Sequence, residues 1–351
     1  MAYTPIDNPG DFFNTVLYTG NGASSRSITG VGFQPDWVWN KPRTDTNDHQ
    51  WVDSVRTGGK VISSNLADAE YTAGNTILSF ISDGFTCGNG ASVNANNIPY
   101  ASWNWKAGTS FTNDASGTGI GSLDSTGSVN TDAGFSIISF AGASAVSTVA
   151  HGLGVAPKMM IFKNRSDADH WGVYHQSLGS NAAMYLNLTG AVDGTLWNNT
   201  APTTSVFTVQ NNSAVNGSGN NIIAYCFAEK QGYSKFGSYT GNGNADGTFV
   251  YTGFKPAFIL GKNSNNASEN WFIYDNKRDS YNTAYKNLAP NSSAIEGSNT
   301  SQNIDILSNG FKPKSAEARF NQSGSTMIYM AFAEHPFVSN TASGSVPVTA
   351  R

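Results

Sequence analysis

The stretch Tyr18-Thr19-Gly20-Asn21-Gly22 occurs a second time, letter for letter, at residues 239–243. In both places a Gly-Phe-x-Pro motif follows and ends on a proline, Pro35 or Pro256, that lies 17 residues after the tyrosine. Self-similarity at a fixed offset is the sequence signature of a repeated structural unit. The chain is therefore expected to contain at least two copies of one fold.

A third and more divergent copy lies between these two. Phe140 and Pro157 take the places of the tyrosine and the proline, again 17 residues apart. In every copy an apolar segment after the proline ends on a lysine, and a tryptophan follows 14 to 16 residues after the proline. These landmarks are Lys41, Lys163 and Lys262, and Trp51, Trp171 and Trp271. We expect the three tryptophans to occupy equivalent positions.

The repeat divides the chain into six segments. A Gly-, Ser- and Thr-rich stretch between the first two copies has few apolar residues, which favours a linker, with a hairpin as the alternative. The predicted segments are an N-terminal arm (1–11), copy one (12–106), the linker (107–134), copy two (135–231), copy three (232–338) and a C-terminal tail (339–351).

Composition favours β-structure throughout the chain. Charged residues make up 13% of the 351 residues, about half the ~25% of an average soluble protein, while 37 glycines and 12% aromatic residues favour turns and strands. In the segment Trp37-Val38-Trp39 the two tryptophans would lie on one strand face and the valine on the other. The fold prediction is an all-β chain of three tandem antiparallel β-sandwich domains of a jelly-roll-like kind.

Charge and hydropathy exclude several classes of partner. The formal net charge is −4 and the 20 basic residues are scattered, so no basic patch for nucleic acid or an anionic membrane is indicated. No apolar run approaches the ~18 residues of a membrane span, and the first residues do not resemble a signal peptide. Cys87 and Cys226 are expected to be buried free thiols. We expect a soluble protein made in the host cytoplasm, with no membrane insertion and no nucleic-acid partner.

Four motifs together carry a resemblance to a known family. The Tyr-Thr-Gly-Asn-Gly stretch, Gly-Phe-x-Pro-Asp-Trp-Val-Trp, Trp-x-x-Tyr-Asp-x-x-Arg and Phe-Ala-Glu resemble a repeated domain of unknown function found in virion and tail-fibre proteins of tailed bacteriophages, particularly those of marine bacteria and cyanobacteria. The resemblance covers nearly the whole chain outside the linker. It implies a virion setting and a β-rich fold, and it implies no chemistry.

Copy three keeps the most complete set of candidate binding residues. An Asp beside a guanidinium can hold sugar hydroxyls while an aromatic ring stacks on the sugar. The candidate ligand or receptor site consists of Trp271, Tyr274, Asp275, Lys277 and Arg278. Copy one retains Asp53 and Arg56, whereas copy two has His175 in place of the Asp and no arginine three residues later. An ion pair that pins the loop after the strand is the alternative interpretation.

The first dozen residues have no counterpart before copies two and three. Prolines and Gly10 predict an extended arm rather than a strand pair. We expect this arm, with Pro5, Pro9, Phe12 and Phe13, to dock on a neighbouring subunit.

A metal site and a catalytic site were both sought in the sequence. Asp167, Asp169, His170 and His175 lie within nine residues, but their spacing matches no zinc or calcium pattern and a turn stabilised by Asp is preferred. No distinctive carboxylate pair, nucleophile motif or phosphate-binding loop is present. The sequence therefore predicts no catalytic residue, metal or cofactor, and the chain is not expected to be an enzyme.

Function is predicted from the fold class and the resemblance together. The first expectation is a structural virion protein of a tailed phage, associated with the tail or its fibres, that assembles with other virion proteins and contacts a host-surface glycan or protein. The alternatives are a capsid-surface decoration protein and, from the enzyme class, a polysaccharide depolymerase.

Overall fold

The computed structural model describes residues 4–341 and 344–347 of the chain. Regular structure in these residues is almost entirely antiparallel β-sheet, and the helices are single turns that connect strands. None of these helices is long or apolar enough to cross a bilayer. The all-β class predicted from composition is confirmed.

The strands and helices follow the repeat. Copy one begins after a 3-10 helix (Pro9–Asp11) and contains β1 (Phe13–Thr19), β2 (Arg26–Thr29), β3 (Trp37–Pro42), β4 (Gln50–Asp53), β5 (Lys60–Val61), β6 (Tyr71–Thr72), β7 (Ile77–Ile81), β8 (Gly84–Cys87), α1 (Ala91–Asn94) and β9 (Pro99–Trp105). The next elements are β10 (Thr109–Asn113), α2 (Ala115–Thr118) and β11 (Ser125–Asn130). Copy two contains β12 (Phe135–Ala141), β13 (Ser147–Ala150), β14 (Met159–Asn164), β15 (Gly172–His175), β16 (Met184–Tyr185), β17 (Val206–Val209), α3 (Ser213–Asn216) and β18 (Asn221–Phe227). Copy three contains β19 (Ser234–Thr240), β20 (Val250–Tyr251), β21 (Phe254–Asn263), β22 (Phe272–Asp275), β23 (Ile304–Leu307), β24 (Gly310–Pro313), α4 (Ala318–Asn321) and β25 (Thr326–Pro336), followed by the hairpin β26 (Val338–Thr341) and β27 (Gly344–Pro347).

Each copy has the same pair of sheets. We call the larger one the inner sheet; its strand order is β1-β9-β3-β4 in copy one, β12-β18-β14-β15 in copy two and β19-β25-β21-β22 in copy three. The smaller, outer sheets are β2-β8-β7, β13-β17 and β20-β24-β23. The inner sheets of the three copies therefore share one strand order, whereas the outer sheet of copy two has two strands where the other copies have three. The predicted C-terminal tail forms the β26–β27 hairpin as far as it is described, and its residues 342–343 and 348–351 lie outside the described part.

The ladder registers correct one predicted equivalence. Trp51 lies two residues before the end of β4, at the position of Val173 in β15 and of Ile273 in β22. Trp171 and Trp271 lie four residues before those strand ends, where copy one has His49. The predicted equivalence of Trp51 with Trp171 and Trp271 is therefore wrong by two residues. The residue of copy one that is equivalent to these two tryptophans is His49, which the sequence pattern did not reveal.

The supposed linker is also a correction. Strand β10 pairs with β11 and β11 pairs with β12, so residues 107–134 add two strands to the inner sheet of copy two. A hairpin of this kind needs few apolar residues, because its backbone hydrogen bonds are satisfied by the ladder and only one face rests on the protein. The alternative of a hairpin is confirmed.

The inner sheets of the three copies pack against one another around a shared centre. The ring of Trp37 stacks on Trp105 with centroids 4.1 Å apart and lies 4.9 Å from Tyr225 of copy two. Phe258 of copy three lies 5.6 Å from Trp105. One apolar cluster therefore contains side chains of all three copies. The copies share this core in addition to a smaller core of their own, which corrects the expectation of three domains strung in a row.

Copy one fills most of this centre with large rings. At four equivalent inner positions it carries a tryptophan where copies two and three carry smaller or less rigid side chains. The equivalent sets are Trp37, Met159 and Phe258; Trp39, Ile161 and Leu260; Trp103, Tyr225 and Met330; and Trp105, Phe227 and Phe332. Close packing at one centre requires such complementary volumes, and it makes the copies non-interchangeable.

The opposite face of each inner sheet builds a smaller core of its own. In copy one Val38 and Val52 pack against Phe85 of the outer sheet. Copies two and three have corresponding clusters around Phe207 and Phe311. Each inner sheet is thus buried on both faces, as the alternation in Trp37-Val38-Trp39 predicted.

The repeated Tyr-Thr-Gly-Asn-Gly stretch anchors the first strand of a copy on its single-turn helix. Tyr18 Oη donates a hydrogen bond to the Val93 carbonyl at 2.7 Å. A Cβ atom on Gly20 would lie 2.0 Å from the Ala95 carbonyl oxygen, so only glycine fits. In copy three Tyr239 and Gly241 make the same contacts with the end of α4. This motif serves the fold.

The N-terminal arm folds back on its own chain. Ile6 is 3% exposed and belongs to the shared core, and Thr4 Oγ1 donates to the Gln231 carbonyl at 2.8 Å. Phe13 stacks on Phe332 of copy three with centroids 5.3 Å apart. The arm covers the junction of copies one and three.

This placement corrects the expectation that the arm docks on a neighbouring subunit. Pro9 and Phe13 are buried within the chain, Phe12 is half-buried and Pro5 is exposed. Buried apolar side chains are not available to a second subunit, because releasing them would expose the core.

The shared core predicts cooperative unfolding. Phe207→Ala and Phe311→Ala remove equivalent buried rings from copies two and three, and each should lower the free energy of unfolding by about 3–5 kcal/mol. Both variants should shift the same single calorimetric transition, with equal calorimetric and van't Hoff enthalpies. Separate transitions, of which each variant moves a different one, would contradict the shared core.

Candidate functional site

The three junctions between copies are built alike. At each junction the last residue of the inner sheet's edge strand reaches the last long strand of another copy. The pairs are Asp53 with Tyr225 Oη (2.6 Å, copies one and two), His175 Nε2 with the Tyr329 carbonyl (3.1 Å, copies two and three) and Asp275 with Trp103 Nε1 (3.0 Å, copies three and one). Because each copy contacts both others, the chain closes into a ring with approximate three-fold symmetry.

A second set of equivalent contacts explains His49. Its ring takes the place of the indoles of Trp171 and Trp271, and all three donate a hydrogen bond to a carbonyl of another copy. The acceptors are Ala289 for His49 (3.0 Å), Leu66 for Trp171 (2.9 Å) and Tyr185 for Trp271 (3.0 Å).

Two junctions carry a buried network of charges. Arg56 Nε donates to Asp53 at 2.6 Å and its Nη1 to Glu70 at 3.1 Å, and Glu70 accepts two hydrogen bonds from Arg165 of copy two. Burial works against the charge of Arg56, but Asp53 and Glu70 outweigh it and hold the arginine pKa above its ordinary value. The equivalent network at the junction of copies three and one consists of Asp275, Arg278, Glu296 and Arg43.

The third junction, between copies two and three, has lost all of these charges together. Leu178, Val192 and Ser264 stand where the other junctions have arginine, glutamate and arginine. The backbone contact remains, because Val192 N donates to the Ser264 carbonyl at 3.1 Å just as Glu70 N donates to the Arg165 carbonyl at 2.9 Å. This backbone contact therefore has a structural role at the junctions. Charged side chains surround it at two junctions, and uncharged side chains surround it at the third.

The three repeated lysines close the loops that follow β3, β14 and β21. Each Nζ donates to main-chain carbonyls, and burial lowers the pKa of each lysine to about 8. The acceptors include Pro42 and Asp45 for Lys41, Asn164 and Asp169 for Lys163, and Asn263 and Asn266 for Lys262. Lys163 also donates to the Ala67 carbonyl of copy one at 2.9 Å.

The candidate binding residues of copy three are corrected to contacts between copies. Trp271, Tyr274 and Asp275 are each 1% exposed and Arg278 is 3% exposed, so a ligand cannot reach them. Lys277 is exposed. The ion pair of Asp275 and Arg278 holds the loop after β22, which is the alternative that the sequence left open.

The candidate metal cluster of copy two is spread apart. His175 lies in the shared core, whereas His170 contacts Asn187 and the carbonyls of Asp167 and Asp169 face Lys163. Within the described ranges, no three His, Cys, Asp or Glu side chains are placed to hold a metal ion. Cys87 and Cys226 are buried free thiols, and burial raises the pKa of both.

Three buried histidines share one hydrogen-bond arrangement. In each ring Nε2 faces a carbonyl and Nδ1 faces an N–H donor, which fixes a neutral ring with its proton on Nε2. The partners are the Ala289 carbonyl and Trp39 Nε1 for His49, the Thr203 carbonyl and Leu153 N for His151, and the Tyr329 carbonyl and Ser177 N for His175. Burial lowers the pKa of all three, that of His175 to about 4.

A surface cleft of about 610 Å³ opens where the arm meets the β10–β11 hairpin. Phe12, Lys106, Phe111 and Asn130 are among the residues that line it. The Phe111 ring lies directly on the backbone of Gly152, where a Cβ atom would come within 2.9 Å of the ring. Two smaller cavities of about 340 and 180 Å³ also border this ring.

Some polar groups of the cleft have no partner within the protein, and Ser110 and Asp132 are exposed to solvent. Within the described part of the chain, Lys106 Nζ, the Asp132 carboxylate and the Ser110 hydroxyl have no hydrogen-bond or ion-pair partner, and Lys106 lies 5.9 Å from the Phe12 ring centroid. Sequence reasoning placed Ser110, Phe111 and Asp132 in a linker and missed the cleft. An isolated aromatic residue, Phe111, in an otherwise polar stretch was the signal that was available.

One protein-family model matches most of the chain. The model described as "Domain of unknown function (DUF7483)" matches residues 8–336. The chain belongs to this family. A single DUF7483 match spans all three copies, which agrees with a ring that shares one core. No curated protein matches the chain.

The charged junctions of this DUF7483 protein should respond differently to single and joint substitution. Arg278→Leu leaves Asp275 and Glu296 without their buried partner and should lower the free energy of unfolding by about 3–5 kcal/mol. Transplanting the copy-two set, Arg43→Ser with Asp275→His, Arg278→Leu and Glu296→Val, should cost less than the single change, since no buried charge is stranded. Chemical denaturation measures both, and a joint variant less stable than Arg278→Leu would contradict the structural role of the network.

Acid should destabilise the ring through its histidines. The pKa of His175 is about 6.5 in the unfolded chain and about 4 in the folded protein. As the pH falls through this range, the unfolded chain takes up a proton that the folded protein does not, so unfolding is favoured. From His175 alone the free energy of unfolding should drop by about 2 kcal/mol between pH 7 and pH 5. Urea denaturation at both pH values tests this, and His175→Gln, which keeps a donor for the Tyr329 carbonyl, should lessen the drop. An unchanged drop in this variant would contradict the assignment.

Proposed function

We propose that this protein is a structural, non-enzymatic component of a tailed-phage virion, placed on the tail or its fibres, where it contacts the host surface. One observation carries the structural part. The recurring motifs of the three copies lie at copy junctions, strand anchors and loop ends, so the repeated sequence serves a rigid body rather than a reaction centre.

Two further observations support the setting and the contact. The motifs that resemble virion and tail-fibre proteins supply the virion setting, with each copy acting as a sandwich-like lobe. The open cleft beside Phe111 supplies a surface that the fold itself does not use. Asp132 is the carboxylate in this cleft, and glycoside hydrolysis requires two, so cleavage of a polysaccharide is not part of the proposal.

Approximate three-fold symmetry favours a second candidate, a decoration protein of the capsid surface. Three similar lobes around one axis match a three-fold site of an icosahedral shell, where each lobe meets a similar neighbour. In that role the ring would reinforce the shell and would need no receptor.

Immunogold labelling of intact virions tests the proposal, with pre-immune serum as the control. Gold on tails or fibres, together with reduced adsorption of antibody-treated particles, is the expected result. Gold on the shell with unchanged adsorption would select the decoration protein. Particles without label would overturn both candidates.

A further inference from the structure

We propose that the cleft lined by Phe12, Lys106, Ser110, Phe111, Asn130 and Asp132 binds a saccharide. The proposal deepens the host-contact function and rests on it for the biological setting.

Two aromatic rings enclose the cleft. Phe12 and Phe111 are each half-buried, and both line the cleft. A pyranose presents C–H groups on one face, and an aromatic ring is the side chain that packs best on such a face, because its electron-rich surface attracts them. The volume of about 610 Å³ is that of a small-molecule site.

The polar groups around the rings match hydroxyl groups. A sugar hydroxyl both donates and accepts, and the cleft offers Lys106 Nζ and Asn130 Nδ2 as donors and the Asp132 carboxylate as an acceptor. Asn130 Oδ1 accepts a hydrogen bond from Ala133 N at 2.9 Å, so the protein already orients this side chain. A ligand that satisfies donors and an acceptor together gains more than an anion, which Asp132 would repel.

The walls of the cleft are fixed before any ligand arrives. Lys106 N donates to the Phe12 carbonyl at 3.0 Å, and Ala107 N donates to Asp36 at 2.9 Å. Gly108 N donates to Ser128 Oγ at 2.8 Å, which ties the start of β10 to β11. A preformed site loses little conformational entropy on binding, which suits the weak contacts that single sugars make.

Saturation-transfer NMR on the purified full-length chain tests the proposal. The probes are glucose, galactose, mannose, N-acetylglucosamine and N-acetylgalactosamine, together with disaccharides of these sugars. At least one probe should receive saturation. Phe111→Ala and Asp132→Asn should each weaken its affinity by about tenfold, the effect of removing one anchoring contact of about 1.4 kcal/mol.

Tyr281→Ala is the matched control, because this side chain is 83% exposed and lies in copy three, away from the cleft. Its affinity should equal that of the unchanged chain. Asp132 is exposed, so Asp132→Asn tests the cleft even if Phe111→Ala disturbs the hairpin, and circular dichroism checks both folds. Binding by none of these probes, or binding that neither variant weakens, would overturn the proposal.

Strand β10 is also the open edge of its sheet, so a second copy of the chain is the competing occupant. Concentration-dependent dimerisation that Phe111→Ala abolishes would assign the cleft to self-association and overturn saccharide binding. The saccharide site and the virion setting can be refuted independently. Virion label without saccharide binding removes the site alone, and saccharide binding without virion label removes the setting alone.

Discussion

Burial of three inner sheets against one another is the constraint on which this structure depends. Each inner sheet presents a face of large apolar side chains, and within one copy nothing covers that face. Only the other two copies supply the missing cover, so the ring must close for any copy to be buried fully. The arm serves the same burial, because Ile6 and Phe13 cover the junction between copies three and one.

Closure places polar groups in a dry interior, and the junctions show two solutions to this problem. Asp53 with Arg56 and Glu70, and their equivalents in copy three, bury charges that are fully paired. Copy two replaces the arginine and the glutamate with Leu178 and Val192 and keeps the ring closed. Since a buried ion pair contributes little net stability over a well-packed apolar contact, both solutions are compatible with one backbone.

The candidate functional surface arises where the repeat is broken. The β10–β11 hairpin is inserted between copies one and two, and the Phe12 side chain comes from the arm before copy one. Neither element has a counterpart in the other copies, so neither belongs to the three-fold pattern. Together they form a cleft that is lined by aromatic side chains and by polar groups without a partner in the protein. The repeated motifs, in contrast, serve the packing of the fold.

The sequence by itself determined the repeat and the all-β class, because turn residues and period-two alternation are local signals that recur in each copy. The alternation in Trp37-Val38-Trp39 predicted that the two tryptophans and the valine lie on opposite faces of a strand. What the inner face packs against was decided only by the tertiary structure. A tryptophan in a core and a tryptophan in a binding site have the same local pattern, so Trp271 and Arg278 could be read as a ligand site until the neighbouring copy was seen to cover them. The cleft was hidden for the same reason, since Phe12 and Phe111 are distant in sequence and line one cleft only in the folded chain.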